Sequence, residues 1–475
     1  MTREKELKNR SSKKMHIIHH ARWILSVGAF IAVFVGALSC KPPKPVSCSD
    51  TTFTIGAATG ALIQPLLGVN AGPAPAGNDP RNADLTDAYH QIGVNLIRTH
   101  DFYGPLDMAV MYPDRTRDPE DQRSYAFQAS DEIWQRIVNG GFEPYLRLGD
   151  SWNNATPPAN SLERAYWVRA AVQVVSHYHA GLWNGFTTPL RYVEIWNEPD
   201  FQQFWQKPHT PLEFFQLYAE TATAVKQAFP EVQVGGPGVT QAAALSPNGR
   251  QWLRDFLQYV KQQDAPLDFF SWHLYSNVPD DWDTAAAYYR TELDEQGFQT
   301  TTLHLTEWNT DTKNLADNST EAHALRTGGK GATILTAAWM ALQQHEIEVA
   351  TLYRGTDPSL DIPTFYGIFY ADGSLKRIAL AFSLWAKLAQ HPQRLTVAAS
   401  AETPLRVICG KNEAGEIALL MVNPSETTLC YSIEGLIQHT CNIEQVSDAS
   451  DQIEKISADT RAITIGAYRT QFLIW

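Results

Sequence analysis

Between about residues 62 and 391, short runs of β-branched, aromatic and aliphatic residues alternate with longer stretches whose apolar positions recur every three or four residues. Eight of the short runs are predicted as strands: "LLGVNA" (66–71), "NLIRTH" (95–100), "EPYLRLG" (143–149), "RYVEIWN" (191–197), "VQVGGPG" (232–238), "DFFSWHLY" (268–275), "TLHLTEWN" (302–309) and "EVATLYRG" (348–355). Helices are predicted between them, as over 161–183, 211–229 and 249–263, each with one apolar face to lay on a sheet. Eight such units place residues 62–391 in the α/β class as a (β/α)8 TIM barrel, with any active site at the carboxyl ends of its strands.

After Pro392 the texture changes to short alternating runs such as "PLRVICG", "EIALLMVN" and "TQFLIW", broken by Gly, Asn, Pro and Asp. They predict a small antiparallel β-sandwich over 392–475. "TTFTIG" precedes the first barrel strand without a helix of its own, so a strand over 51–61 is expected to join that sandwich.

The N-terminus reads differently again. A basic stretch leads into the apolar run "WILSVGAFIAVFVGALSC" (23–40) and then a Pro-rich linker over 41–50, the order of an export signal. Ala37-Leu38-Ser39-Cys40 resembles a bacterial lipoprotein signal, with Cys40 as the residue that takes lipid and anchors the protein to a membrane. An uncleaved anchor helix or ordinary secretion are the alternatives; each puts the folded body outside the cytoplasm. With Cys40 lipidated, Cys48, Cys409, Cys430 and Cys441 remain as disulfide candidates; Cys430–Cys441 with Cys48–Cys409 is the expected pairing, and four free buried thiols the alternative. No Cys or His spacing matches a metal site, and no cofactor is implied. The net charge of −13 understates the acidity of the folded body, because the first 40 residues carry seven Lys and Arg against two Glu. Such a surface is a poor match to nucleic acid.

Placing each polar residue by whether it closes a predicted strand selects a small set. Glu198 closes the fourth strand, Glu307 the seventh, His273 and Tyr275 the sixth, Arg98, His100 and Asp101 the second, and Tyr353 with Arg354 the eighth. Two carboxylates across a barrel mouth suit glycoside hydrolysis, where one gives a proton to the departing oxygen and the other stabilises the oxocarbenium-like centre. Glu194 lies in a strand body and is expected to be a buried structural acid.

"YVEIWNEPDFQQFW" with the helix that follows resembles the acid/base segment of glycoside hydrolase family 39, the β-xylosidase and α-L-iduronidase family. "PLDFFSWHLYS" and "LHLTEWNT" come in that family's order, and the likeness covers most of 66–391. The resemblance implies a retaining enzyme with Glu198 as general acid/base and Glu307 as nucleophile. It implies that Asn197 holds the 2-hydroxyl of the sugar, that His273 and Tyr275 line the reacting subsite, and that His100 contacts the sugar. Arg98 is placed to keep Glu307 ionised. An oligo- or polysaccharide is the implied partner.

Among the Trp residues, Trp152, Trp196, Trp205 and Trp308 follow or sit in active-end segments, and about half of them are expected to stack on sugar, with Trp152, Trp205 and Trp308 the candidates and Trp205 the first to test. The segments around Tyr103-Gly104-Pro105 and Arg354 depart from the β-xylosidase pattern, which leaves the sugar open. Arg354 is expected either to bind a uronic acid or to cap the barrel rim against Asp357. A non-catalytic glycan-binding lipoprotein and an endo-acting polysaccharide hydrolase are the rival readings.

Overall fold

A closed parallel barrel forms from β2 (Gly68–Asn70), β3 (Leu96–Arg98), β4 (Glu143–Leu148), β5 (Tyr192–Ile195), β6 (Gln233–Val239), β7 (Phe269–Tyr275), β8 (Thr302–Asn309) and β9 (Ile347–Leu352), in that order around the ring. Each falls on one of the eight predicted runs. The computed structural model describes residues 51–475 apart from 76, 78, 313–316 and 436–439. The export segment, Cys40 and Cys48 lie outside the described residues. Among the described residues no helix is long and apolar enough to cross a membrane.

Local chemistry sets the helix ends. The helix Ser161–His179 starts at Asn160, whose side chain accepts from the amides of Leu162 and Glu163. It stops short of the predicted residue 183, because Gly181, Trp183 and Asn184 all turn to positive φ. The helix Pro211–Ala228 opens with a capping box between Thr210 and Glu213 and with Pro211 in its first turn.

Alternation along the strands decides what faces the barrel axis. A lower layer of Leu96, Tyr145, Tyr192, Phe269 and Val349 fills the amino-terminal end of the barrel, and His304 stacks on Phe269 with ring centroids 4.2 Å apart. Two residues further along, Arg98, Glu194, Ser271 and Thr306 lie above that layer, buried and polar. This layer carries the functional site.

One irregularity matters more than the rest. Trp272 of β7 pairs with Leu305 of β8, but the next residue, His273, pairs with Glu307, so Thr306 is an extra residue, a β-bulge. The bulge turns Glu307 onto the same side as Thr306 and sends Trp308 outward among Trp282 and Trp339.

Preceding the barrel is β1 (Thr51–Leu62); following it come β10 (Gln393–Ala399), β11 (Arg406–Lys411), β12 (Ile417–Asn423), β13 (Leu429–Glu434), β14 (Thr440–Val446), β15 (Glu454–Asp459), β16 (Ile463–Ile465) and β17 (Arg469–Ile474). They make one nine-stranded sheet, β15-β14-β17-β12-β11-β10-β1-β13-β16. Every pairing is antiparallel except β1 with β13. Tyr431 on β13 nevertheless donates to Gln471 on β17 across the sheet at 2.8 Å. Phe53, Leu395, Leu419, Tyr431, Ile443 and Leu473 share one core. The two layers of the expected sandwich therefore come from a single sheet folded over.

That topology corrects the disulfide pairing. Cys409 and Cys441 are free, buried thiols, which excludes both Cys430–Cys441 and Cys48–Cys409. Cys430 and Cys441 are close in sequence but lie on strands six places apart in the sheet, β13 and β14. Cys430 does enter a disulfide. Burial pushes the Cys409 thiol up to about 12 and Cys441 up to about 11, so both stay protonated and inert.

Candidate active site

Where β5 ends at Ile195 the chain twists sharply. Trp196 and Glu198 both take positive φ, 74° and 45°, and the Glu198 amide donates to the Gly238 carbonyl at 2.9 Å. Non-glycine residues rarely hold that conformation unless their surroundings enforce it, and such strain gathers at functional sites. The effect is to turn Asn197 and Glu198, neighbours in sequence, toward one cavity.

That cavity of about 470 Å³ opens at the carboxyl ends of the barrel strands. His100, Asp101 and Tyr103 line it after β3, Trp152 and Asn153 after β4, and Asn197, Glu198 and Phe204 after β5. Tyr275, Glu307 and the Tyr353–Tyr366 segment complete it.

The two carboxylates meet opposite surroundings. Glu307 accepts from Arg98 Nη1 at 2.9 Å and from the Tyr275 hydroxyl at 2.7 Å, with His100 Nε2 3.2 Å away. Among the described residues the Glu198 side chain has one hydrogen-bond partner, His273, whose Nδ1 is 2.9 Å from its Oε1. One donor atom each of Glu198, His273 and Glu307 lies within 4.8 Å of the others. That spacing alone would admit a metal ion, but the Arg98 guanidinium already occupies the face of Glu307 and repels a second cation.

Burial raises both carboxyl groups. Glu198 is pushed well above the usual range by burial first, then by the Glu307 charge and by Asp200. Burial raises Glu307 to about 7, with Arg98 and the Tyr275 hydrogen bond opposing it. The pair therefore shares a proton that Glu198 keeps. Burial lowers His273 and His100, leaving both imidazoles neutral.

Arg98 is fully buried and fixes several groups at once. Its Nε donates to Glu194 at 2.6 Å, Nη1 to Asn70 at 2.8 Å as well as to Glu307, and Nη2 to Asn197 Oδ1 at 2.8 Å. Because the Asn197 oxygen is taken, its Nδ2 is the free end, and that buried nitrogen has no hydrogen-bond partner among the described residues. An unsatisfied donor beside the carboxylate pair suits a ligand hydroxyl. Glu194 is wholly buried between Arg98 and Thr306.

Three sequence expectations are corrected. Trp308 is completely buried because the bulge sends it outward, with its ring 4.9 Å from that of Trp339, so it cannot touch a sugar. Replacing it with Ala should cost about 3–5 kcal/mol of stability through the cavity left behind. Urea unfolding measures this, and an unchanged midpoint would contradict the packing. Trp205 is also interior: its Nε1 donates to the Thr210 carbonyl at 2.8 Å and its ring packs edge-on against Trp196. Arg354 lies behind the cavity wall, 2% exposed, donating to the Tyr103 hydroxyl at 3.3 Å. It does not cap against Asp357, which pairs instead with Lys376 at 2.7 Å.

Trp152 remains at the mouth, 43% exposed, with Phe201 and Phe204 beside it. Asp101 and Tyr353 are placed by sequence at the ends of the second and eighth strands, but no role in the site is read for them there. The Tyr353 hydroxyl donates to Asp101 Oδ2, while Asp101 Oδ1 is buried without a hydrogen bond. The position of Asp101 next to His100 at a strand end was the available signal.

The chain is similar to known proteins over the same region. It is 29% identical over 253 residues to a β-xylosidase of Geobacillus stearothermophilus, a match covering 46% of this chain and 47% of that protein. It is 25% identical over 199 residues to a β-xylosidase of Caldicellulosiruptor saccharolyticus, covering 39% and 37%. The chain thus spans about half or less of the curated relatives it matches. The crystal structure of a glucosidase from Croceicoccus marinus superposes with a TM-score of 0.73 at 24% identity, covering 89% of this chain and 98% of that one, and shares its fold. The pattern described as glycosyl hydrolases family 39 matches residues 68–312, a span that takes in the strained turn at Glu198, the His273 and Tyr275 strand and the bulge at Glu307, and the chain belongs to that family.

Proposed function

We propose that the protein is a retaining glycosidase acting on neutral sugars by double displacement. The observation that carries this reading is the pairing within 4.8 Å of two carboxylates, Glu307 buried and Glu198 partly exposed to the cavity, in opposite surroundings, one against a cation and a phenol and the other against a neutral imidazole. Retention calls for carboxyl groups roughly 5–5.5 Å apart, close enough for direct attack, whereas inversion needs room for a water between them.

In the first step a Glu307 oxygen bonds to the anomeric carbon as the glycosidic bond breaks, and the Glu198 proton passes to the leaving oxygen. In the second, Glu198 takes a proton from water while the water oxygen displaces Glu307, which restores both groups. Asn197 Nδ2, fixed by Arg98, is placed to donate to the 2-hydroxyl as charge develops beside it.

Neutral sugar is favoured because none of the described residues lining the cavity is Lys or Arg, while Asp101 adds a carboxylate to that lining, its Oδ1 3.4 Å from the His100 ring. A uronate would meet repulsion there, with Arg354 shielded behind Tyr103. Loops after four of the strands, β3, β4, β5 and β9, wall the cavity, which supports exo over endo action. The relatives' name makes a β-xyloside the first substrate to try. Export with lipid on Cys40 is proposed from the sequence of residues 1–40.

The test is a panel of neutral aryl β-glycosides and a β-glucuronide, with the first-formed product read by proton NMR. Retained configuration is expected, and an inverted product would overturn the double displacement. The kcat/KM profile should be bell-shaped. Activity falls at low pH as Glu307 gains a proton, on a limb above the ordinary glutamate range, and at high pH as Glu198 loses its own. Arg354→Ala should leave the preference between xyloside and glucuronide unchanged.

A further inference from the structure

A neutral imidazole has one N–H, so whether His273 Nδ1 gives or takes the hydrogen bond with Glu198 is decided at the far end of the ring. There, Nε2 lies 3.2 Å from the Thr306 hydroxyl. That hydroxyl has one hydrogen and two acceptors in reach, His273 Nε2 and Glu194 Oε1, the latter at 2.9 Å. Glu194 is the nearer, and it is a carboxylate ion-paired with Arg98 at 2.6 Å, the stronger acceptor on both counts. Thr306 therefore donates to Glu194 and can only accept from His273. The ring hydrogen then belongs on Nε2, which leaves Nδ1 a lone pair facing Glu198 Oε1 at 2.9 Å, nearer than Glu307 Oε2 at 3.8 Å, so a hydrogen on Glu198 is what satisfies it.

We infer that Glu194 and Thr306 are positioning residues that hold His273 in its Nε2–H tautomer, and that this tautomer keeps the acid proton on Glu198 between turnovers. No water competes, since Glu194 and Thr306 are wholly buried and His273 is 1% exposed. Thr306 cannot drift either: its carbonyl accepts from Asn70 Nδ2 at 2.9 Å and from the Thr351 hydroxyl at 2.6 Å. It is also the bulge residue, so one extra residue in β8 both aims Glu307 and sets the proton on its partner. Once Glu198 has given up its proton, its carboxylate faces a lone pair instead of a donor. The anion gains nothing from His273, and recovery of the proton from water in the second step is favoured.

Thr306→Val keeps the shape and removes the hydroxyl, freeing the ring to put its hydrogen on Nδ1 and donate to the Glu198 carboxylate. The charged groups around Glu198 remain as they were: Glu307 on β8, Arg98 on β3, Asp101 after it, and Asp200 on its own loop. The direct readout is nitrogen NMR of the histidine rings in the full chain labelled with 15N-histidine, with His273 assigned through His273→Asn. The wild type and Thr306→Ser should show His273 as Nε2–H, and Thr306→Val should show a substantial Nδ1–H fraction. An Nδ1–H tautomer in the wild type, or a Thr306→Val spectrum like the wild type, overturns the inference.

A kinetic arm rests on the glycosidase reading. Thr306→Val should lower kcat/KM about tenfold for leaving groups of high pKa and much less for activated nitrophenols, and the alkaline limb should move down by about one pH unit. Thr306→Ser should restore both. A purely structural defect would lower all substrates alike and leave the limb in place, contradicting the inference. If the wild type hydrolyses no glycoside, the functional reading fails, while the tautomer still decides this one.

Discussion

Glu307→Gly is expected to lose on the order of 10⁵-fold in kcat/KM on an aryl glycoside, and azide is expected to restore turnover as a glycosyl azide of inverted configuration. The loss is large because nothing else near the anomeric centre can form the covalent bond. Glu198 is turned toward His273, and Asp101 is tied to Tyr353. Removing the side chain leaves space on the face from which Glu307 would attack, next to Arg98 Nη1, Tyr275 and His100 Nε2. A small anion fits that space, where those groups would orient it. One displacement in place of two inverts the centre, while Glu198 still supplies its proton. Chromatography and NMR of the product read the outcome. Unchanged turnover in the variant, or an azide product of retained configuration, would remove Glu307 from the role of nucleophile.

What the sequence made legible follows from how locally each feature is encoded. The eight strands could be read because each is an apolar run bounded by breakers, and Asn160 and Thr210 announce their helices through capping chemistry alone. Glu198 and Glu307 were found because strand ends on a barrel converge whatever the side chains do. The orientation of a side chain on such a strand is another matter. Strict alternation would put Glu307 on the outer face with Leu303 and Leu305 and point Trp308 inward. The bulge at Thr306 reverses both, and no residue type nearby signals it.

Trp205 and Arg354 were misplaced for a related reason. Both sit in loops: Trp205 is turned inward by a local fold that sets its Nε1 on the Thr210 carbonyl, and Arg354 by Tyr103, which is remote in sequence and reached only through tertiary packing. The disulfide pairing failed because nearness in sequence does not mean nearness in a sheet that closes over itself, as Cys430 and Cys441 show. Asp101 was legible by position, yet its surroundings, Tyr353 on one oxygen and His100 near the other, are set by residues that only the fold brings together.

Arg98 is where fold and chemistry depend on one side chain, and its replacements should separate the two. Arg98→Met leaves Glu194 and Glu307 buried without a cation, and breaking a buried ion pair costs about 3–5 kcal/mol. The charge of Arg98 lowers the Glu307 pKa, so its removal raises that pKa further above the value in the unfolded chain. A raised carboxyl pKa gives stability that is present below the unfolded value and lost as pH rises. Urea unfolding of Arg98→Met should therefore show a deficit that grows from pH 5 to pH 8. Arg98→Lys restores the charge but not the fork: one ammonium cannot reach Glu194, Asn70, Glu307 and Asn197 together. That variant should fold, keep a smaller stability deficit, and still lose about 10²-fold or more in kcat/KM, because Asn197 is released and Glu307 is held less firmly ionised. Its acid limb should move to higher pH. A Met variant as stable and active as the wild type would show that the polar layer is held by something other than Arg98. A Lys variant with full activity would show that charge alone, without the oriented guanidinium, is enough to prepare the site.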